Sequence, residues 1–188
     1  MVDTDVNEAG ATVVKMFRRI AVDLSMLSDS DIEVSGITVE ERTDRPAAAS
    51  GVHVSFRFGL NAGSGVQHGA LMLPLGESIC LGGNLMMAGP QQIDELQAKG
   101  EVAGPLRDAI LEVGSFVAGA LQSAMGGRGV SSAKVDFEGC QGVQASVPPR
   151  LDYEEGSPLV VSRAAFRLGT RAPVEALLIL PRGAMTAA

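Results

Sequence analysis

The segments Phe56-Arg-Phe-Gly59 and Ala70-Leu-Met-Leu-Pro-Leu-Gly76, separated by a loop, recur in the second half of the chain. There they read Phe166-Arg-Leu-Gly169 and Leu177-Leu-Ile-Leu-Pro-Arg-Gly183, again with a loop between them. Apolar and polar residues alternate through residues 52–58, which is typical of a half-buried strand. Each pair of segments therefore predicts a β-hairpin, and a unit that recurs in the same order predicts an internal repeat.

A long helix is predicted at the start of each half. Apolar residues recur at helical spacing in about residues 7–24 and again in 105–125, where Pro105 stands at the favoured first helical position. Glu8-Ala-Gly-Ala11 in the first helix is similar to Glu112-Val-Gly-Ser115 in the second. Each half is therefore predicted to contain one helix followed by three strands.

Two such halves can pair about a pseudo-twofold axis. We expect a single α/β (α+β) domain of two layers over residues 1–188, with a mainly antiparallel six-stranded sheet and the long helices on one face. The halves cover about residues 1–100 and 101–183, and a frayed tail is expected at 184–188. The remaining predicted elements are strands at about 32–39, 52–58, 66–73, 132–137, 159–168 and 174–180, and helices at about 77–88 and 92–98.

Composition limits the function classes. The net charge is −7, which disfavours nucleic acid and anionic membranes as partners. Aromatic residues make up only 4%, with no Trp, which disfavours stacking on single-stranded nucleic acid. Cysteines and histidines are isolated, so no metal site is expected. The acidic start lacks the features of a signal peptide and no apolar run could span a membrane, so we expect a cytoplasmic protein.

The helix at 105–125 carries a line of polar and small residues opposite its apolar side. On spacing alone, a solvated helix face explains this line. The small residues in it also leave room for the close approach of another protein. The line consists of Asp108, Glu112, Ser115, Gly119 and Gln122, at alternating intervals of four and three residues.

The pattern Asp-x-x-x-Glu-x-x-Ser at Asp108–Ser115, followed by Phe116-Val-Ala-Gly-Ala-Leu-Gln-Ser-Ala124, resembles the signature helix of the CheC/CheX/FliY family. These chemotaxis phosphatases dephosphorylate the response regulator CheY, and the chain is most similar to CheX. Three further segments are similar to CheX: Asp5-Val-Asn7, Leu73-Pro-Leu-Gly-Glu77 and Gly82-Gly-Asn-Leu-Met-Met-Ala-Gly89.

The resemblance implies a role for each site residue. The family Glu pairs with the Lys of a receiver domain, and the family Asn orients the water that attacks the phospho-aspartate. Glu112 and Ser115 would take these catalytic roles, and Asp108, Glu112, Gly119 and Gln122 would contact the partner. No cofactor of its own is expected, because the receiver supplies Mg²⁺. The first helix has Ala11 at the water-positioning site, which leaves one active helix, as in CheX.

Ser115 stands where the family has Asn, and this departure keeps three interpretations open. The chain could hydrolyse the phospho-aspartate of a receiver domain. It could be a receiver-binding module with weak or no catalysis, because a hydroxyl reaches about 1 Å less far than an amide and has one donor instead of two. It could also be a purely structural signalling subunit. We further expect a homodimer, because CheX relatives form dimers and a sheet edge must be covered.

Overall fold

The computed structural model describes residues 3–61, 65–126 and 134–186. The helices and strands follow one another in the predicted order, with one further helix at the end, and their bounds are as follows. The helices are α1 (Asp3–Ser28), α2 (Leu75–Leu85), α3 (Pro90–Lys99), α4 (Gly104–Met125) and α5 (Arg182–Thr186). The strands are β1 (Ile32–Arg42), β2 (Val52–Asn61), β3 (Val66–Pro74), β4 (Lys134–Gln144), β5 (Leu159–Leu168) and β6 (Val174–Pro181).

The strands form one sheet of six, in the order β1-β5-β6-β3-β2-β4. Each paired set of strands is antiparallel. The predicted fold class, an antiparallel six-stranded sheet with helices, is therefore confirmed.

The strand order has the symmetry that the repeat predicts. Exchanging the first half for the second turns the order into its own reverse, so a pseudo-twofold axis passes between β3 and β6. These two strands pair Leu71 with Leu178, which are equivalent residues of the two repeats. The first strand of each half lies in the opposite half of the sheet: β1 pairs with β5, and β4 pairs with β2.

The larger core lies between the helices and one face of the sheet. The apolar side of α4 lies fully within this core, as its spacing predicts. The core also contains four fully buried aromatic residues, Phe17, Phe56, Phe58 and Phe166. The buried α4 side chains predicted from the sequence are Leu106, Ile110, Val113, Val117, Leu121 and Ala124.

Connections rather than helices cover the opposite face of the sheet. A second apolar cluster there contains Met72 and Ile179, with Ala48, Leu151 and Tyr153 from the two long connections. The Tyr153 hydroxyl donates a hydrogen bond to the Thr43 carbonyl oxygen and so joins these two connections. The sheet therefore has an apolar cluster on each of its two faces.

Two predicted boundaries are wrong. The helix expected to reach residue 88 ends at Leu85, because Met87 adopts a left-handed conformation (φ 58°) and Ala88 donates to the Gly83 carbonyl, as in a Schellman cap. The tail expected to be frayed from residue 184 instead continues as α5, in which Ala184 and Met185 are buried in the larger core.

Some predictions reach beyond the described residues. Part of the loop in the first predicted hairpin, the start of the strand predicted at 132 and the last two residues of the tail lie outside them. The other elements occur close to their predicted positions, and α1 and β4 are longer than predicted.

Candidate functional site

Helix α4 packs against α1, α2 and β4. Two glycines let it approach its neighbours closely. A Cβ atom on Gly114 would lie 2.3 Å from the Phe137 ring of β4, and one on Gly82 of α2 would lie 2.9 Å from the Ile110 side chain. Neither site has room for a side chain unless its neighbours move. Close packing of the buried side of α4 against its neighbours therefore fixes the position of its exposed side.

The exposed side of α4 carries four of the five predicted site residues. Asp108, Glu112, Ser115 and Gly119 are exposed to solvent, as the helical spacing predicts. Three of them, Glu112, Ser115 and Gly119, line a shallow groove of about 590 Å³ beside α1. The structure therefore brings together Glu112 and Ser115, which are predicted to be catalytic, and Gly119, which is predicted to contact the partner.

Glu112 and Ser115 differ in the hydrogen bonding of their side chains. Within the described chain, the Glu112 carboxylate has no hydrogen bond or ion pair, which leaves it available to a partner. The Ser115 hydroxyl donates a hydrogen bond of 3.3 Å to the Leu111 carbonyl oxygen, one turn earlier. A back-bonded serine of this kind still offers the lone pairs of its oxygen as acceptors.

Gln122, predicted as a partner contact, makes a hydrogen bond within the fold. It is half-buried, and its Oε1 accepts a hydrogen bond of 2.7 Å from the backbone N–H of Val135 in β4. The groove lining does not include it. This hydrogen bond holds the Gln122 side chain beside β4, and its contact with a partner stays a prediction. Asp108 is exposed, but it also lies outside the groove lining.

Sequence reasoning missed three residues of the groove. Asp23 of α1 forms the opposite wall, while Phe116 and Ser123 extend the α4 side. Asp23 accepts a hydrogen bond of 2.9 Å from Arg19 Nε, so its carboxylate is already paired within α1. Phe116 could have been found from the sequence, because its position on α4 lies outside the apolar stripe, where an aromatic residue indicates a contact surface.

The equivalent region of α1 does not repeat the site. Ala11, which corresponds to Ser115, is exposed but has no polar group in its side chain. The side chain of Glu8 lies outside the part of the chain that the structure describes. Among the described residues, no group of three or more His, Cys, Asp and Glu is placed to hold a metal ion. No described helix has the length and apolar character that a membrane crossing requires.

The comparisons with known proteins rest on structure. No protein-family model matches the sequence, and none of the curated proteins matches it significantly. The chain is similar to Thermotoga maritima FliY, with a TM-score of 0.67 and 12% identity, covering 99% of this chain and 94% of that one. It is also similar to the FliM of a Helicobacter pylori FliM–SpeE complex, with a TM-score of 0.71, 10% identity and coverage of 100% and 95%.

A CheX structure from Desulfovibrio desulfuricans is also similar, with a TM-score of 0.55, 13% identity and coverage of 90% and 97%. This score is lower than those to FliY and FliM, so a particular closeness to CheX stays a prediction from the sequence. The TM-scores and coverages establish a common fold. At identities near 10% they do not establish a common site, since sites can diverge on one scaffold. The chain therefore has the fold shared by FliY, the FliM middle domain, CheX and CheC-like proteins.

Proposed function

We propose that this protein acts in chemotaxis or related two-component signalling by docking a phosphorylated response-regulator receiver domain on the exposed side of α4. Glu112 binds the partner, and Ser115 positions the water that hydrolyses its phospho-aspartate. The proposal implies a cytoplasmic protein. One observation supports it most: Glu112 and Ser115 share one groove, and Glu112 has no partner within the described chain.

Docking rests on charge pairing. A receiver domain of the type that the family binds presents a lysine at its phosphorylation site. The Glu112 carboxylate can pair with that lysine as the interface excludes water, and losing one member of such a pair typically costs about 2–5 kcal/mol of binding free energy. Asp108, one turn earlier, is exposed at the edge of this surface and adds negative charge to it.

Hydrolysis needs a water molecule held in line with the phosphorus atom. The water attacks phosphorus, the bond to the aspartate oxygen breaks, and the products are a free aspartate carboxylate and inorganic phosphate. Mg²⁺ on the receiver stabilises the charge, so the groove contributes mainly position. The Ser115 oxygen can accept a hydrogen bond from that water while its hydroxyl remains hydrogen-bonded to the Leu111 carbonyl oxygen.

Docking without hydrolysis is the second candidate, and the hydrogen bond from Ser115 to Leu111 favours it. The hydroxyl proton is used within the helix, and the family amide is longer and offers more donors. A misplacement of about 1 Å in a positioning group can reduce turnover on the order of 10²-fold. Structures of H. pylori FliM in complex with SpeE and with FliG are consistent with a fold that also serves binding.

A homodimer is also proposed. The two outer strands of the sheet, β1 and β4, are each 11 residues long, and each has one edge without a neighbouring strand among the described residues. Such edges invite pairing with another chain. Light scattering at tens of micromolar should give twice the monomer mass, and a strict monomer would refute the dimer.

The test of the proposed function uses a panel of purified receiver domains from the same genome. Each is first activated with beryllofluoride for a binding measurement, and is then phosphorylated for a phosphate-release measurement. Binding of at least one activated receiver, with faster phosphate release, supports the phosphatase. Binding without faster release supports the second candidate, and binding of none refutes both.

A further inference from the structure

The groove between α1 and α4 has an apolar side that charge pairing does not explain. We infer that it receives an apolar side chain of the receiver domain, seated over Gly119 and against the Phe116 ring, next to the lysine that pairs with Glu112. This inference rests on the proposed function, and it identifies what the groove recognises beyond a single charge.

Phe116 is the first observation that carries the inference. Its relative exposure is 39%, whereas Phe17, Phe56, Phe58 and Phe166 are essentially buried. Exposed large apolar side chains that line a groove are typical of interaction sites, and aromatic residues are enriched among the side chains that dominate binding. Met26 of α1 is also exposed, at 80%, and lies about one helical turn from the groove residue Asp23.

Gly119 provides the space. A Cβ atom at this position would have no heavy atom within 4 Å, apart from its own helix backbone, so the groove is open directly above the α4 backbone. Glycine in the interior of a helix costs stability relative to alanine. Nothing in the packing around Gly119 compensates for that cost, in contrast to Gly114, where the Phe137 ring fills the space. A bound side chain would use the space.

The charges of the groove restrict its occupant. Of the two carboxylates in the lining, Asp23 is paired with Arg19, and the lining contains no basic residue. Glu112 is therefore the available charge, and one cation satisfies it. An occupant with one lysine beside an apolar side chain matches both the charge and the shape. A receiver with an acidic or strongly hydrated residue beside its lysine would be rejected, because that residue would lose water without a partner.

The experiment measures the affinity for a beryllofluoride-activated receiver that binds the wild-type protein. Gly119→Leu fills the groove and Phe116→Ala removes its apolar wall, and each should weaken binding about tenfold or more, as loss of a dominant contact does. Gly119→Ala should weaken binding less while raising the melting temperature. Circular dichroism confirms that each variant is folded, and if Gly119→Leu does not fold, Gly119→Ala and Phe116→Ala decide the outcome.

Two matched controls separate groove effects from general ones. Gly10→Ala fills another open helical glycine outside the groove, and Val147→Ala removes another exposed apolar side chain. Both should bind within about twofold of wild type, well below the loss from a dominant contact. If Glu112→Gln loses binding but the Gly119 and Phe116 variants bind like wild type, the apolar inference is overturned and the proposed function stands. If Glu112→Gln also binds like wild type, both are overturned.

Discussion

The Ser115 hydroxyl donates a hydrogen bond of 3.3 Å to the carbonyl oxygen of Leu111, one turn earlier on α4. The residue that would position the attacking water is therefore hydrogen-bonded to its own helix. The neighbouring Glu112 carboxylate makes no such bond within the described chain. In the proposed function, binding depends on Glu112 and hydrolysis on Ser115. Because only Ser115 is hydrogen-bonded within the described chain, substitutions can separate the two.

Ser115→Asn should raise the rate of phosphate release at unchanged affinity for the receiver. The amide is about 1 Å longer than the hydroxyl and offers two donors, so it can hold the water where the family Asn does. A group that acts only in the transition state changes turnover more than binding. Stopped-flow phosphate release under saturating receiver checks this expectation.

Ser115→Ala is the matched control for that prediction. It should retain binding and lose whatever hydrolysis the wild type has. Equal phosphate release from Ser115→Ala and wild type would show that Ser115 does not position the water.

Gly114→Ala should destabilise the protein by about 1–2 kcal/mol. The added methyl group would overlap the Phe137 ring, and overpacking of this kind costs about 1–3 kcal/mol, against a gain of up to about 1 kcal/mol in helix propensity. Gly10→Ala, at the equivalent position of α1 with open space around it, should instead stabilise by about 0.5–1 kcal/mol. Urea unfolding of both variants tests this contrast, and equal effects would contradict it.

Gln122→Ala should destabilise the fold and leave receiver affinity unchanged. The substitution removes the acceptor of the Val135 N–H, and Val135 is buried, so an unpaired donor costs about 1–3 kcal/mol. Thermal unfolding and a binding titration at a temperature where the variant is folded measure the two effects. A variant with normal stability and weakened binding would contradict this prediction and show that Gln122 contacts the partner.

The stability of the protein should fall as the pH falls from about 7 to about 5. Burial lowers the pKa of His53 below its ordinary value, and the nearby Glu175 opposes this shift. The unfolded chain then binds a proton at higher pH than the folded chain does, so acid favours unfolding once the pH drops below about 6.5. His53→Gln should show a shallower loss over this range in urea unfolding, and an unchanged pH slope would contradict the prediction.

The fold was predictable because two independent signals in the sequence agree. Hairpins beginning at Phe56 and Phe166 gave the repeat, and the helical spacing of Leu106 to Ala124 gave a helix with one buried side. The strand order was not predictable, because alternation of apolar residues describes which face of a strand is buried and not which strand lies beside it. The crossing of β1 and β4 into the opposite halves therefore came only from the structure.

The α4 side of the candidate site was predictable from the sequence, whereas the contribution of α1 was not. Spacing on α4 placed Glu112, Ser115 and Gly119 together, since residues three and four apart share a face. Asp23 was missed because its contact with the groove depends on how α1 packs against α4. The hydrogen bond between Gln122 and Val135 was not predicted, because periodicity does not report that β4 begins beside Gln122.

The central claim is that Glu112 docks a receiver domain, and binding of Glu112→Gln tests it most directly. The change removes one charge at nearly constant shape, and an exposed position predicts a stability within about 0.5 kcal/mol of wild type. Glu95→Gln, which removes one exposed charge from α3, is the control. The predicted result is that Glu112→Gln loses affinity for the beryllofluoride-activated receiver by about 30-fold or more, while Glu95→Gln binds like wild type. If Glu112→Gln binds and dephosphorylates the receiver as well as wild type does, α4 is not the docking site.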